Sequence, residues 1–401
     1  MVEVTAVIPT YNRRDWVQLA IDSVLAQRGV SVECIVVDDG SSDGTGEVLQ
    51  ARYGERIRYV YQENAGESAA RNHGARLASA PFFAFLDSDD LWLPGKLAAQ
   101  LDFLRRNPDC GAVYCRAYAI DERGRSIPRL PYGANIPGGR MDLAQILRGG
   151  ITASGSTIMV QTAAFAALGG YSTSIRHGED VDFAVRLLLN GQQVGVIPRP
   201  LAAVRSHTHS QSLTMQREKF EASYRDHLQM QAGILTQSRD PAVTRAVEAA
   251  RQNEILRMLV FYVYSGEKEQ AAKLRRAPEL PNPLPAAAFD RQVHYFTPLL
   301  YRDSGDPRRV LGFLQTVYAY RDAIAPVRGR GAQDALEALR AAVWCAAQDQ
   351  RHAGFAWRQA LAAVWRAPRL AFSPGLWKQI ARLVFGRLFV QIALFWSHAH
   401  D

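Results

Sequence analysis

A chain of 401 residues, 48% hydrophobic and 21% charged, has an ordinary globular make-up, and its length predicts two or three domains that each bury a core. Disordered, collagen-like and disulfide-scaffold classes are thereby excluded; Cys34, Cys110, Cys115 and Cys345 form no CxxC pair, and unpaired thiols fit a reducing compartment, so a cytoplasmic location is expected. The formal charge of +8 is uneven, since residues 1–214 carry 21 basic and 22 acidic side chains and residues 215–401 carry 26 and 17.

The start, Met1 to Thr5, lacks the basic segment and small-residue cleavage site of a signal peptide and already reads as a strand. Apolar runs at residues 4–9 (VTAVIP), 33–37 (ECIVV), 56–61 (RIRYVY) and 82–86 (FFAFL) alternate with helical stretches such as 14–27. β-Branched and aromatic runs spaced by helices predict an α/β fold, a mostly parallel sheet flanked by helices on both faces.

Acidic residues stand at the ends of these runs. Asp38 and Asp39 follow the second and precede a Gly/Ser turn, where open parallel sheets bind ligands, and a carboxylate there can accept from a nucleobase imide or a ribose hydroxyl. Asp43 reads instead as a helix cap. The run 82–86 ends in Asp87, Ser88, Asp89 and Asp90. Carboxylates packed this closely repel unless a cation neutralises them, and Asp87-Ser88-Asp89 offers hard oxygens to Mg2+ or Mn2+ carrying a diphosphate. Asp90 reads as the start of a helix through Lys96. Further on, Glu179, Asp180 and Asp182 open a helix, where Asp182 suits the helix dipole. His177, His207 and His209, taken alone, read as ordinary loop histidines.

Beyond residue 214 the strand signals stop. Helices rich in Ala, Leu and Arg are expected at 241–265, 332–348 and 374–396, with a Pro-rich break at 280–285, so the chain divides into residues 1–214 and an all-α part, 215–401. Residues 265–278 and 349–368 echo each other, each ending in Ala-Pro, a pattern that stacked hairpins and plain helical packing explain equally well. The apolar stretches within 374–396 are too short to span a bilayer. That segment reads first as a helix packed in its domain, and secondarily as a peripheral contact at the inner face of a membrane, with Trp377 and Trp396 near headgroups.

Taken in order, these motifs resemble the inverting family 2 glycosyltransferases of the GT-A (Rossmann-like) fold, which use nucleotide-sugar donors. The likeness covers roughly residues 3–214: VIPTYNR (7–13), VVDDGSSDGT (36–45), ENAGESAARNHG (63–74), LDSDDLWLPGKL (86–97), GGY (169–171), GEDVDFAVRL (178–187) and RSHTHSQS (205–212). The resemblance implies that the donor lies across Pro9, Thr10 and Tyr11, with Asp38 or Asp39 at the base and ribose. It puts Arg71 near the base or diphosphate, Asp87 and Ser88 at the ribose side, Asp89 (or Asp90) on a metal, and His207 at the metal or diphosphate. Asp180 would be the general base. The function implied is metal-dependent inverting transfer from a nucleotide-diphosphate sugar, most readily a UDP-sugar, to a glycan or lipid-linked acceptor in cell-surface polysaccharide or glycolipid assembly.

Other readings differ at definite residues. A sugar nucleotidyltransferase needs a Gly-rich loop after the first strand, where this chain has PTYNRRD, and neither GxxxxGK[ST] nor an ordered GxGxxG occurs. Nucleic-acid binding fits the basic balance, but the strand-end carboxylates repel phosphates and no binding motif is present, so no nucleic-acid partner is expected. A sugar-nucleotide-binding protein without transferase activity shares every motif and separates only by assay.

Overall fold

Burial on both faces makes the first apolar run a central strand: all seven residues of β1 (Val4–Thr10) are buried. Val4, Ala6 and Ile8 pack with Val17 and Ile21 of α1 (Arg14–Leu25), while Val7 points to the opposite core. The computed structural model describes residues 2–126, 138–147, 155–207, 217–281 and 306–324, with isolated positions at 289–300 and 358–359.

Chain order continues with β2 (Val32–Asp38), α2 (Thr45–Tyr53), β3 (Arg58–Tyr61), α3 (Glu67–Leu77), β4 (Phe82–Phe85), β5 (Leu91–Trp92), α4 (Lys96–Arg106) and β6 (Cys110–Ile120). After β7 (Gly139–Arg140) and the single turn α5 (Leu143–Gln145) come β8 (Ile158–Gln161), α6 (Thr162–Ala167), α7 (Glu179–Leu189) and β9 (Gln193–Arg205). One nine-stranded sheet has the order β3-β2-β1-β4-β8-β6-β9-β5, with β7 also on β9. Strands β3, β2, β1 and β4 pair in parallel; β8 runs antiparallel to both β4 and β6, and β9 is parallel to β6. Six strands therefore share one direction, which brings Thr10, Asp38, Asp87 and the end of β9 to the same edge. This is the flanked, mostly parallel sheet expected from the sequence, made mixed by β5, β7 and β8.

Two cores cover its faces. Phe83, Phe85, Phe165, Tyr171 and Phe183 form an aromatic cluster under α7, with neighbouring centroids 5.0 to 5.9 Å apart. Ile8, Ile21, Leu97 and Leu101 belong to the other. Around Asp90 the structure departs from expectation, because Leu91 and Trp92 pair with β9 and the helix starts only at Lys96, after Gly95. Asp90 caps nothing there; its carboxylate accepts from Arg205 N at 2.8 Å and Ser156 Oγ at 2.6 Å, tying β9 to the strand-end turn.

Helices follow: α8 (Arg217–Gln237), α9 (Pro241–Ser265), α10 (Lys268–Arg275) and a further helix at Pro307–Ile324. The chain forms two compact units, Met1–Ser210 with Ala222–Ala250, and Gln211–Glu221 with Arg251–Asp401. In the first, Met230, Ile234 and Val247 join the core that holds Phe183. In the second, Phe220 stacks on Phe261 at 4.6 Å, and Phe296 and Phe313 extend that aromatic core. Among the described residues no helix is long and apolar enough to cross a membrane. The segments expected at 332–348 and 374–396, the second copy of the echo apart from 358–359, and His209 lie outside the described residues.

Candidate active site

The loops after β1 and β2 are locked together. Asp39 N donates to Thr10 O at 2.9 Å, Asn12 N to Ser41 Oγ at 2.9 Å, and Ser42 N to Asn12 Oδ1 at 2.8 Å. Asn12 takes a left-handed φ of 51°, which its short amide tolerates because it is hydrogen-bonded on the spot. Pro9 is buried in the strand, the buried Thr10 Oγ1 meets no partner among the described residues, and Tyr11 is 50% exposed beside it. Asp38 accepts from Ser41 N at 2.8 Å and the Tyr59 hydroxyl at 2.7 Å. Asp39 accepts from Gln62 Nε2 at 2.7 Å and from Ala65 N and Gly66 N, each at 2.9 Å. Both carboxylates thus shape the loops that lead into α2 and α3.

Across the edge, Asp89 Oδ2 lies 2.8 Å from Nε2 of His207, which follows the last residues of β9. Arg205 donates to Asp89 O at 2.7 Å and to the carbonyls of Asp121 and Glu122, so the R-x-H pattern binds the end of β9 to the Asp-rich turn. The Trp16 ring packs on His207 with centroids 4.4 Å apart and lies under Arg13 and Arg205. Among the described residues no three His, Cys, Asp or Glu side chains converge as a complete metal cage. One carboxylate and one imidazole, whose other nitrogen is buried without a partner among the described residues, nevertheless fit a divalent cation held chiefly by diphosphate oxygens. Ser88 is buried between Asp87 and Asp89.

The third part of the site is an ion cluster around Arg71. This buried guanidinium reaches Asp87 Oδ1 at 2.7 Å, Glu67 Oε1 at 2.5 Å and Glu179 Oε1 at 2.9 Å, and lies over the Tyr171 ring. Asp180 stands beside it, 5% exposed, with Oδ1 accepting from the Tyr171 hydroxyl at 2.7 Å. No described group hydrogen-bonds its Oδ2. Burial, then the neighbouring Glu179 charge, push the Asp180 carboxyl up to about 7 against the pull of Arg71 and the Tyr171 hydrogen bond. Burial likewise holds the Asp90 carboxyl well above the usual range, helped by Asp89 and Asp87. Glycine forms the cap at Gly178 (φ 87°), and three acidic residues fill the first turn of α7, where the helix dipole favours them.

Residues 5–169 match the family model for glycosyl transferase family 2. The match covers less than half of the chain, and over those residues the chain is similar to that family. An uncharacterized glycosyltransferase of Rickettsia typhi is 32% identical over 187 residues, 46% of this chain and 58% of its own length. TuaG of Bacillus subtilis, a glycosyltransferase named provisionally for teichuronic acid biosynthesis, is 44% identical over 104 residues, 25% of this chain and 41% of its own. The chain thus spans only part of the relatives it matches. In fold it is similar to S. aureus TarS 1–349, solved in complex with UDP-GlcNAc, with a TM-score of 0.51, 16% identity and coverage of 91% of this chain and 92% of that one. The architecture is the GT-A arrangement that the motifs imply.

The residues singled out by sequence fall into three groups along one sheet edge: Pro9 to Tyr11 with Asp38 and Asp39, Asp89 with His207, and Arg71 with Asp87 beside Asp180. Arg71 is not turned to open solvent but is sequestered by carboxylates. His177 joins Asp226, at 2.9 Å. Four partners, Glu67, Tyr171, Trp16 and Arg205, were given no role from sequence, though all but Trp16 stand inside the quoted motifs. The i,i+4 spacing of Glu67 and Arg71 was the available signal for the first and the R-x-H spacing for Arg205; Tyr171 and Trp16 are brought in by packing from distant elements. Asp182 bonds Arg186 at 2.7 Å, whose other nitrogens hold the Leu168 and Gly170 carbonyls, so it braces the GGY loop as well as suiting the dipole.

Proposed function

We propose that this protein is an inverting glycosyltransferase that moves a sugar from a nucleotide-diphosphate sugar, most readily a UDP-sugar, to an acceptor hydroxyl. The observation that carries the reading is Asp180: a buried carboxyl with its pKa raised to about 7, one oxygen held by Tyr171 and the other without a hydrogen-bond partner among the described residues. A base of that strength is matched to neutral pH. Its carboxylate takes the proton as the acceptor oxygen bonds to the anomeric carbon, while the bond from that carbon to the diphosphate oxygen breaks and the nucleoside diphosphate leaves with the electron pair. Attack from the opposite side inverts the centre, so an α-linked donor gives a β-linked product.

Donor binding is assigned to Pro9, Thr10, Tyr11, Asp38, Asp39, Arg71, Asp87 and Ser88. Asp89 and His207 are the residues that would hold Mg2+ or Mn2+. When bound, the cation supplies charge stabilisation to the diphosphate. Arg71 spans the two halves of the chemistry, since one guanidinium grips Asp87 on the donor side and Glu179 next to the base. The name of TuaG supports an acceptor in cell-surface polysaccharide or glycolipid assembly. Residues 1–214 are proposed as the catalytic part and 215–401 as serving the acceptor, a membrane surface or a partner.

The test is a donor screen: incubation with Mn2+ or Mg2+ and a panel of nucleotide sugars, reading nucleoside diphosphate release and the anomeric configuration of the product. Release that needs the cation, with inversion, is expected. Retention of configuration would falsify the mechanism; binding without turnover would favour the sugar-nucleotide-binding reading.

A further inference from the structure

We propose that helix α8, which lies beyond the residues matched by the family model, belongs to the catalytic apparatus, with Asp226 and His177 as positioning residues for the helix start that carries Asp180. The inference rests on the reading of Asp180 as the base.

One carboxylate oxygen, Asp226 Oδ2, accepts from three donors: Arg176 N at 3.2 Å, His177 N at 3.0 Å and His177 Nδ1 at 2.9 Å. Those residues immediately precede Gly178, the cap of α7, and Asp180 is two residues further on. An ionised acceptor is the strongest kind for such bonds, and the positive end of α7 favours it there. Because a carboxylate only accepts, Nδ1 of His177 carries the hydrogen, which fixes the tautomer and the ring orientation. Asp226 and His177 side chains are 17% and 25% exposed, so the pair is largely screened from water. The next residue of α8 presses on the same turn: a Cβ on Gly178 would lie 2.8 Å from His227 Nε2, and Gly178 has a φ of 87°. Residues Ala222–Ala250 belong to the same compact unit as α7.

The loop between the aromatic core and the base has two ends. At its start, Asn72 holds Tyr171 through both backbone groups, at 2.8 and 2.9 Å, and Arg186 holds the carbonyls before it. At its far end, the backbone N–H groups of Arg176 and His177 go to Asp226. Removing that acceptor frees the segment that sets where Asp180 stands, and a displacement of about 1 Å at a reacting group costs roughly 100-fold.

The experiment compares the full chain with Asp226→Ala, Asp226→Asn and Asp180→Asn, using a panel of UDP- and GDP-sugars for turnover and Mn2+ with UDP for binding. Asp226→Ala should lower kcat about 10- to 100-fold, with the donor KM and Mn2+-UDP affinity within about twofold of wild type. It should also move the rising limb of the pH–rate profile, because Asp180 would shift against Glu67, Arg71, Asp87, Tyr114, Tyr171 and Glu179. Asp226→Asn keeps an acceptor oxygen for the N–H groups and should restore most of the rate. Wild-type kcat and pH limb in Asp226→Ala overturn the proposal, and so does a parallel fall in kcat, affinity and melting temperature, the mark of a purely structural residue. Wild-type turnover in Asp180→Asn would instead remove the base assignment itself.

Discussion

A carboxyl group raised to about 7 is half ionised at neutral pH, and in Asp180 that follows from burial and the Glu179 charge, opposed by Arg71 and the Tyr171 hydroxyl. If this carboxylate takes the acceptor proton, kcat must rise with pH through about 7, because only the ionised form accepts. Asp180→Asn should keep nucleotide binding, lose about 100- to 10,000-fold in kcat, and abolish that limb; near wild-type turnover would reject the role. For the metal side, Asp89→Ala should weaken Mn2+-dependent binding of UDP and remove transfer, leaving His207 without its 2.8 Å partner. Equal affinity with and without Mn2+ in both proteins would sink that assignment. Asp180 and Asp89 could be singled out from sequence because their motifs stand at element ends. What the sequence could not show is that Asp38 and Asp39 each spend both oxygens on neighbouring loops and on β3, since Tyr59, Gln62 and Gly66 reach them only after β3 and α3 are in place.

At the scale of elements, β1, β2 and β4 were readable because a strand buried on both faces leaves a continuous apolar run. The reversal at β8 was not, for four residues carry no directional signal and their orientation is decided by pairing with β4 and β6. Likewise β5 is two residues long and exists only as a partner of β9. Contact between α3 and the sheet depends on a glycine: a Cβ on Gly74 would stand 2.3 Å from Val7 Cγ1 and 3.1 Å from Val37 Cγ2. Gly74→Ala should therefore push α3 off β1 and β2 despite the better helix propensity of alanine, costing about 1 to 3 kcal/mol. Since α3 also carries Arg71 and Asn72, donor affinity should fall together with the melting temperature. A variant more stable than wild type in thermal denaturation would show that the helix accommodates the methyl group.

For the molecule as a whole, the polar edge sets how stability depends on pH. Asp180 and Asp90 are both buried with raised pKa values, and Glu67, more exposed, is pushed the same way. Each such group binds its proton more tightly folded than unfolded, so its stabilising contribution is full below the ordinary carboxyl value near 4 and is lost as pH rises through the folded value, about 7 for Asp180. The buried Lys96 does not offset this, because burial lowers it only to about 8 and below that pH it is charged in both states. Without ligands, then, the protein should lose stability between pH 5 and pH 8, by roughly 2 to 4 kcal/mol for Asp180 alone. The melting temperature should fall by about 5 °C or more over that window. In Asp180→Asn the titrating group is gone while the Tyr171 contact can persist, so the fall should be shallower and the variant should overtake wild type toward pH 8. Differential scanning calorimetry of both proteins at half-unit pH steps measures this. A wild-type melting temperature that rises from pH 5 to pH 8, or equal slopes for the two proteins, would mean that Asp180 is ionised throughout at no cost, and the poised base would lose its physical basis.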